Sequence, residues 1–246
     1  MNEVRDWTLF WDNPHSIYVN TRHFDVHYRD IAEGIVALLP APGLRVLDFG
    51  CGEALHADKV AAAAAKLFLC ESAPRVRERL AKRFAAVANV AVASPEDVAS
   101  MTDSSLDLIV ANSVVQYLST AEFDRLLAVW RRSLAPGGML IVGDVIPPNS
   151  SPLGDALVLL RYAVRNRFFV AAVIGLTRTV ISDYRAMRAR LGIACYGEAE
   201  LLSKLRAVGF AGERLSFNLE HNPHRMTFVA RPVGVADVNR QSSNAL

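Results

Sequence analysis

The sequence is poor in cysteine. Its three, Cys51, Cys70 and Cys195, are widely spaced and form no CxxC pair, which argues against a disulfide framework or a cysteine zinc site and fits a reducing cytoplasm. No apolar run approaches the ~20 residues that cross a bilayer. The opening segment MNEVRDWTLFWDNP carries acids and tryptophans where a secretory signal would have an apolar core. Strong charge of one sign is also missing. A formal net charge of +2 gives no electrostatic reason to expect nucleic acid as the default partner. The chain has 246 residues, 52% of them hydrophobic, enough for one sizeable globular domain with a small appendage.

From Pro42-Gly43 onward, short β-type runs alternate with helical stretches. Strands are expected at 44–50, 66–71, 89–94, 106–112 and 139–146, and helices at 56–65, 74–87 and after the capping-box pattern Ser119–Glu122. Continuous apolar strands separated by helices predict a parallel sheet covered on both faces, an α/β, doubly wound, Rossmann-like arrangement. Two helical stretches, about 153–174 and 178–191, follow the fifth strand and read as an inserted lid. A helix at 198–210 and strands at 213–220 and 225–232 complete the pattern. The short turn 221–224 between those two strands demands antiparallel pairing. The expected organisation is a helical arm over 1–42, a core domain over 43–232 with its lid insert at about 150–196, and a frayed tail over 233–246.

The strongest local signal is VLDFGCGEA, residues 46–54. A strand ends in Asp48, and Gly50-Cys51-Gly52 turns toward a helix whose N–H groups face a ligand. A dinucleotide site calls for glycine or alanine three residues after the second glycine, where this chain has Leu55. Glu71 closes the second strand, placed to accept hydrogen bonds from ribose hydroxyls, a feature that nicotinamide and sulfonium nucleosides share.

DFGCG, CES, LDLIVANSVVQYLS and LAPGGMLIV, in that order and spacing, resemble the successive motifs of class I S-adenosylmethionine (SAM)-dependent methyltransferases. The resemblance covers about 44–146 and persists through an antiparallel seventh strand. It implies a seven-stranded sheet, SAM as methyl donor and S-adenosylhomocysteine as product. It further implies that Asp48, Gly50, Cys51 and Gly52 line the methionine half of SAM, that Glu71 holds the ribose, and that Ser72 flanks the adenosine. The carbonyl of Asn112 would meet the methionine ammonium, and Gln116 and Tyr117 would open toward the substrate. The chain departs from the family after strand three. An adenine-reading aspartate is usual there, but Ser94-Pro95-Glu96 stands in its place and Pro95 has no N–H. Ser94, Glu96 and Asp97 are the adenine candidates.

Three segments outside the core should meet at the carboxyl ends of the strands. In the arm, His23 and His27 lie four apart and share a helix face. With His15 and Asp25 they make a weak metal pattern, and no metal site is expected. His15, Tyr18 and Tyr28 can instead cover cofactor or substrate. In the insert, Arg161, Arg165, Arg167, Arg178, Arg185, Arg188 and Arg190 face only Asp155 and Asp183. Three readings stand: a lid over a hydrophobic substrate, an amphipathic surface on anionic lipid as a peripheral membrane contact, or a homodimer interface. The turn His221-Asn222-Pro223-His224-Arg225 can bind an anionic group or supply a base.

Methyl transfer from a sulfonium is an in-line displacement in which the protein mainly aligns the acceptor. His221, His15 and Asp144 are the candidate catalytic groups; Tyr18, Gln116, Tyr117, His224 and Arg225 are the candidate substrate contacts. Nucleic-acid methylation is disfavoured, because Asn112-Ser113-Val114-Val115 lacks the Pro-Pro-aromatic motif of adenine enzymes and no cysteine follows strand four. The expected acceptor is a small molecule, apolar or lipid-like. An NAD(P)-dependent oxidoreductase and a non-catalytic SAM-binding protein are the rival readings.

Overall fold

Alternation of side chains along each strand builds two cores, one on each face of a sheet. In the first strand Val46 turns to one face, and Leu47 and Phe49 turn to the other. The computed structural model describes residues 3–12, 18–179 and 192–233. Among them the strands are β1 (Leu44–Phe49), β2 (Ala64–Cys70), β3 (Val90–Ala93), β4 (Leu106–Asn112), β5 (Leu134–Val145), β6 (Phe210–Arg214) and β7 (Met226–Pro232). They form one seven-stranded sheet in the order β3-β2-β1-β4-β5-β7-β6. β1 to β5 pair in parallel, while β7 is antiparallel to both β5 and β6. This is the expected doubly wound sheet with its reversed last strand.

On one face pack α2 (Thr21–Leu38), α3 (Ala57–Ala63) and α4 (Pro74–Arg83), through Ile35, Val60 and Leu80. On the other pack α6 (Thr120–Ser133) and α9 (Glu198–Ala207), through Phe123, Trp130 and Leu205. The predicted capping box opens α6: Ser119 accepts from the Glu122 N–H, and the Glu122 carboxylate accepts from the Ser119 N–H at 2.9 Å. The direction of winding reverses between β1 and β4, so the crevice at their carboxyl ends is where such a sheet takes a ligand.

Three segments differ from the sequence-based expectation. The helix expected over 153–174 is two helices, α7 (Pro152–Arg165) and α8 (Phe169–Thr179). Arg167 between them adopts a left-handed φ of 62°, and Phe168 turns inward against Val26, Tyr162 and Ala172. The second helix expected, 178–191, lies outside the described residues from 180 onward. The sixth strand begins at Phe210, not 213, because Gly209 at φ 83° ends α9 early. It stops at Arg214, so residues 215–225 form a long connection where a tight turn was expected. Side chains hold that connection. Leu219 N–H donates to Thr227 Oγ1 at 2.9 Å, and Thr227 Oγ1 lies 2.9 Å from Asn218 Oδ1.

The helix α1 (Glu3–Asp12) docks at the start of α4, where Arg75 N–H donates to Asp12 Oδ1 at 2.7 Å. All three cysteines are free thiols. No helix of the described residues is long and apolar enough to cross a membrane. The tail past Val233 lies outside the described residues.

Candidate active site

The floor of the crevice is the turn after β1. Gly50 and Gly52 have φ of 73° and 57°, a conformation that L side chains rarely adopt. The N–H groups of Gly50 and Cys51 both donate to the Cys70 carbonyl, at 2.8 and 3.0 Å, which lashes the turn to the end of β2. Glu71 follows directly. Its carboxylate accepts from Gly52 N–H and from Ala73 N–H, both at 2.9 Å. The glycine turn and the acidic side chain therefore meet. A Cβ on Gly52 would strike the Tyr28 hydroxyl, which also accepts from Glu53 N–H at 3.0 Å, and one on Gly50 would strike Val114. Asp48 points into the same space. Burial, reinforced by the nearby Glu71 charge, pushes its pKa up to about 7. Burial also raises the Cys51 thiol, so it stays protonated.

The wall comes from β4, β5 and the 215–225 connection. Ser113 and Asp144 both hold left-handed φ, 56° and 55°, uncommon for residues with a Cβ and sustained here by side-chain bonds. Ser113 Oγ lies 2.9 Å from Asp144 Oδ2 and also bonds Glu220 Oε1, which accepts from Asn112 Nδ2 at 2.8 Å. Asn218 exchanges two bonds with Asp144, each 3.1 Å. Arg225 reaches Asp144 at 3.0 Å and Asp155 at 3.3 Å. One serine hydroxyl has a single proton and faces two carboxyl groups, so both contacts are attractive only if one carboxyl is protonated. Burial and the Glu220 charge raise Asp144 to about 7. Burial alone would raise Glu220, but His27, His221 and the Ser113 and Asn112 bonds outweigh it and hold Glu220 low.

The roof is the arm and the loop after β4, with α7 packed against His221 behind it. Trp7 packs on Tyr117 with ring centroids 4.7 Å apart, and Trp11 with centroids 5.6 Å apart. Tyr18 and Tyr28 approach hydroxyl to hydroxyl at 3.4 Å. Tyr162 of α7 donates to Asp30 at 2.8 Å and stacks on His221 at 4.3 Å. Burial lowers the His221 pKa, so its imidazole favours the neutral form. His27 Nδ1 faces Glu220 Oε2 at 3.8 Å.

Of the metal pattern considered in the arm, the three described residues, His23, Asp25 and His27, do not converge. His23 is stacked on Phe168 at 4.9 Å and buried, which pulls its pKa down to about 3. Asp25 turns away to His56, at 2.9 Å. His27 is left with a different pair of neighbours, Glu220 and His221.

The cavity measures about 740 Å³, within the range of small-ligand sites. Of the residues predicted from sequence, Asp48, Gly50, Cys51, Gly52, Glu71, Ser72, Glu96, Asn112, Gln116, Tyr117, Tyr18, Asp144, His221 and Arg225 all line it. Ser94 and Asp97 do not. They form the capping box of α5 (Pro95–Ala99), with Asp97 accepting from Ser94 N–H at 2.8 Å. The cavity meets that segment through Pro95, Glu96 and Ala99 instead. His224 is exposed and outside the lining, and His15 lies outside the described residues. Sequence reasoning missed Glu220, Ser113 and Asn218. An acid directly before the candidate His221 was the one available signal, hidden because Glu220 was read as a strand end.

A parallel sheet with a reversed seventh strand, a glycine turn at its switch point and an acid at the end of β2 define the class I methyltransferase fold. Residues 47–142 match the family model described as a methyltransferase domain. Solved structures share the fold at low identity. The DhpI complex with S-adenosylhomocysteine aligns at TM-score 0.59 and 15% identity, covering 94% of this chain and 97% of that one. The N-methyltransferase NodS from Bradyrhizobium japonicum, also with S-adenosylhomocysteine, aligns at 0.55 and 16%, with the same coverages of 94% and 97%. YcgJ from Bacillus subtilis aligns at 0.53 and 16%, covering 77% and 71%. No curated protein sequence matches the chain. The match to a methyltransferase domain spans the strands and turns that line the crevice, and the whole sheet has the class I methyltransferase fold.

Proposed function

We propose that the protein transfers the methyl group of SAM to a small, largely apolar acceptor enclosed between the glycine turn and the aromatic roof. The observation that carries this reading is the aromatic lining of the cavity beside the glycine turn. Trp7, Trp11 and Tyr18 of the arm and Tyr117 after β4 line one side of a cavity of about 740 Å³. That space suits a nucleoside cofactor with a small partner.

SAM lies along the floor. The turn 50–52 lets the backbone approach the methionine portion, Asp48 faces its charged end, Glu71 accepts from the ribose hydroxyls, and Ser72, Pro95 and Glu96 border the base. On binding, Glu71 exchanges its bond from Gly52 N–H for the ribose, so the site is held ready by a contact the ligand replaces. The acceptor lies toward Tyr18, Gln116, Tyr117 and His221. Among the described residues Gln116 Oε1 is buried with no hydrogen-bond partner, which supports its use by a donor on the acceptor. His221 lines the acceptor side of the cavity. Asp144 is a positioning residue, fixing Arg225 and the 215–225 connection through its bonds.

The arm and the insert act as one cap, since Arg22 Nε donates to the Asn166 carbonyl at 3.3 Å and Tyr162 ties α7 to α2. The outward face of α7 and α8 exposes Leu153, Leu157, Val164, Phe169 and Val170 beside Arg161, Arg165 and Arg167. Apolar residues among arginines support delivery of the acceptor from an anionic lipid surface.

Calorimetry with SAM, S-adenosylhomocysteine and NADH tests the cofactor assignment. Gly52→Arg drives a side chain into Tyr28 and should abolish SAM binding while circular dichroism stays native. Retained binding would remove the turn from the site. Release of S-adenosylhomocysteine on addition of a lipid or metabolite extract, but not an oligonucleotide, tests the acceptor class.

A further inference from the structure

We propose that His27, Glu220 and His221 bind a divalent first-row transition-metal ion on the acceptor side of the cavity. This rests on the methyltransferase reading above and specifies how the acceptor is held. One ligand atom from each of the three residues lies within 4.8 Å of the other two, and among the described residues no other histidine, cysteine and carboxylate group of this kind occurs. All three side chains line the cavity.

The spacing is wrong for a hydrogen-bonded dyad and right for an ion. His27 Nδ1 and Glu220 Oε2 stand 3.8 Å apart, beyond hydrogen-bond range. Two ligand atoms on one tetrahedral ion, each about 2.1 Å from it, stand about 3.4 Å apart. A small inward rotation of the imidazoles closes the site. Two nitrogens and one carboxylate oxygen are the donor set of zinc, iron and related ions, and three protein ligands leave a coordination position open for a substrate atom.

The surroundings hold each ligand in place. Glu220 Oε1 accepts from Asn112 Nδ2 at 2.8 Å and bonds Ser113, which turns Oε2 toward His27. His221 is clamped by its stack on Tyr162, itself anchored to Asp30. His27 packs against Tyr18 and Tyr28 with centroids 5.2 Å away in both cases. Oriented ligands of this kind distinguish a built site from chance proximity.

The ion selects an acceptor bearing an oxygen or nitrogen that can enter the open position. With a hydroxyl acceptor, the bound O–H loses its proton to water. The oxygen then attacks the methyl carbon, and the carbon–sulfur bond breaks with its electron pair on sulfur, leaving neutral S-adenosylhomocysteine and the methyl ether.

Co²⁺ alone, titrated into the chelator-treated full chain, tests the site without any acceptor. One ion per chain should bind with a visible d–d spectrum of nitrogen and oxygen ligands. His27→Ala and His221→Ala should each weaken binding at least tenfold, while His224→Ala, at an exposed histidine, should leave it unchanged. Absence of stoichiometric binding, or affinity unaltered by both His27→Ala and His221→Ala, overturns the proposal. SAM calorimetry on the same samples reports folding and separates the two readings. SAM binding without Co²⁺ binding overturns the metal site alone, whereas no SAM binding by the unmodified chain overturns the cofactor assignment beneath it.

Discussion

The two halves of the cavity are built differently. The floor comes from neighbouring strand ends, and its key contacts join backbone to backbone or backbone to one carboxylate: Gly50 and Cys51 to Cys70, and Gly52 to Glu71. The acceptor half is assembled from α2, α7 and the 215–225 connection, held by side chains such as Asn218, Tyr162 and Arg225. Backbone contacts between strands tolerate changes of side chain and suit a cofactor of fixed shape. A wall of side chains on loops can be altered singly, which suits a partner that differs among enzymes of one fold.

That division can be broken by perturbing one half and reading the other. After Gly52→Arg, Glu71→Ala has the largest expected effect on affinity. Losing a charge-assisted hydrogen bond should weaken SAM by about 1–3 kcal/mol, visible by calorimetry. Glu71→Gln keeps the shape of the side chain and an acceptor for only one of the Gly52 and Ala73 N–H groups, so its loss should fall between that of the unmodified chain and Glu71→Ala. Unchanged affinity in both would remove Glu71 from the site.

The pH dependence of binding sharpens the same point. Asp48 is pushed up to about 7 by burial and by Glu71. A cationic ligand lowers that pKa, so binding releases a proton, and affinity should fall as pH drops below about 7, by up to tenfold per unit. Asp48→Asn should flatten this profile. A profile flat from pH 5 to 8 in the unmodified chain would mean that Asp48 does not face the positive charge.

The smallest effect is expected in the acceptor half. Tyr162→Phe removes the bond to Asp30 but keeps the stack on His221. It should cost about 1 kcal/mol, a Tm drop of roughly 2–4 °C. KM for the acceptor should rise while SAM affinity holds. An equal loss of SAM affinity would show that the two halves are one mechanical unit.

The legibility of the two halves in sequence follows the same line. Asp48, the glycine turn and Glu71 lie within one strand–turn–helix–strand unit, so local pattern places them together. Ser94 and Asp97 were read as adenine contacts because they follow β3. They are instead bound to each other as a helix cap, a use that the same residues and spacing serve equally well. Residues 213–220 alternate like a strand, yet Gly209 starts β6 early and leaves the Ser, Asn and His residues to a connection that folds back over the cavity.

The sequence by itself determined the doubly wound sheet, the reversed seventh strand and the cofactor floor. Strand periodicity, glycine conformation and capping are local properties written over a few residues. Only the tertiary structure decided the neighbours of His27. Its periodicity pairs it with His23 on one helix, but His23 is withdrawn against Phe168, and the closing of 215–225 over the sheet brings Glu220 and His221 instead. Contacts between distant segments depend on how whole elements pack, and no local pattern records that.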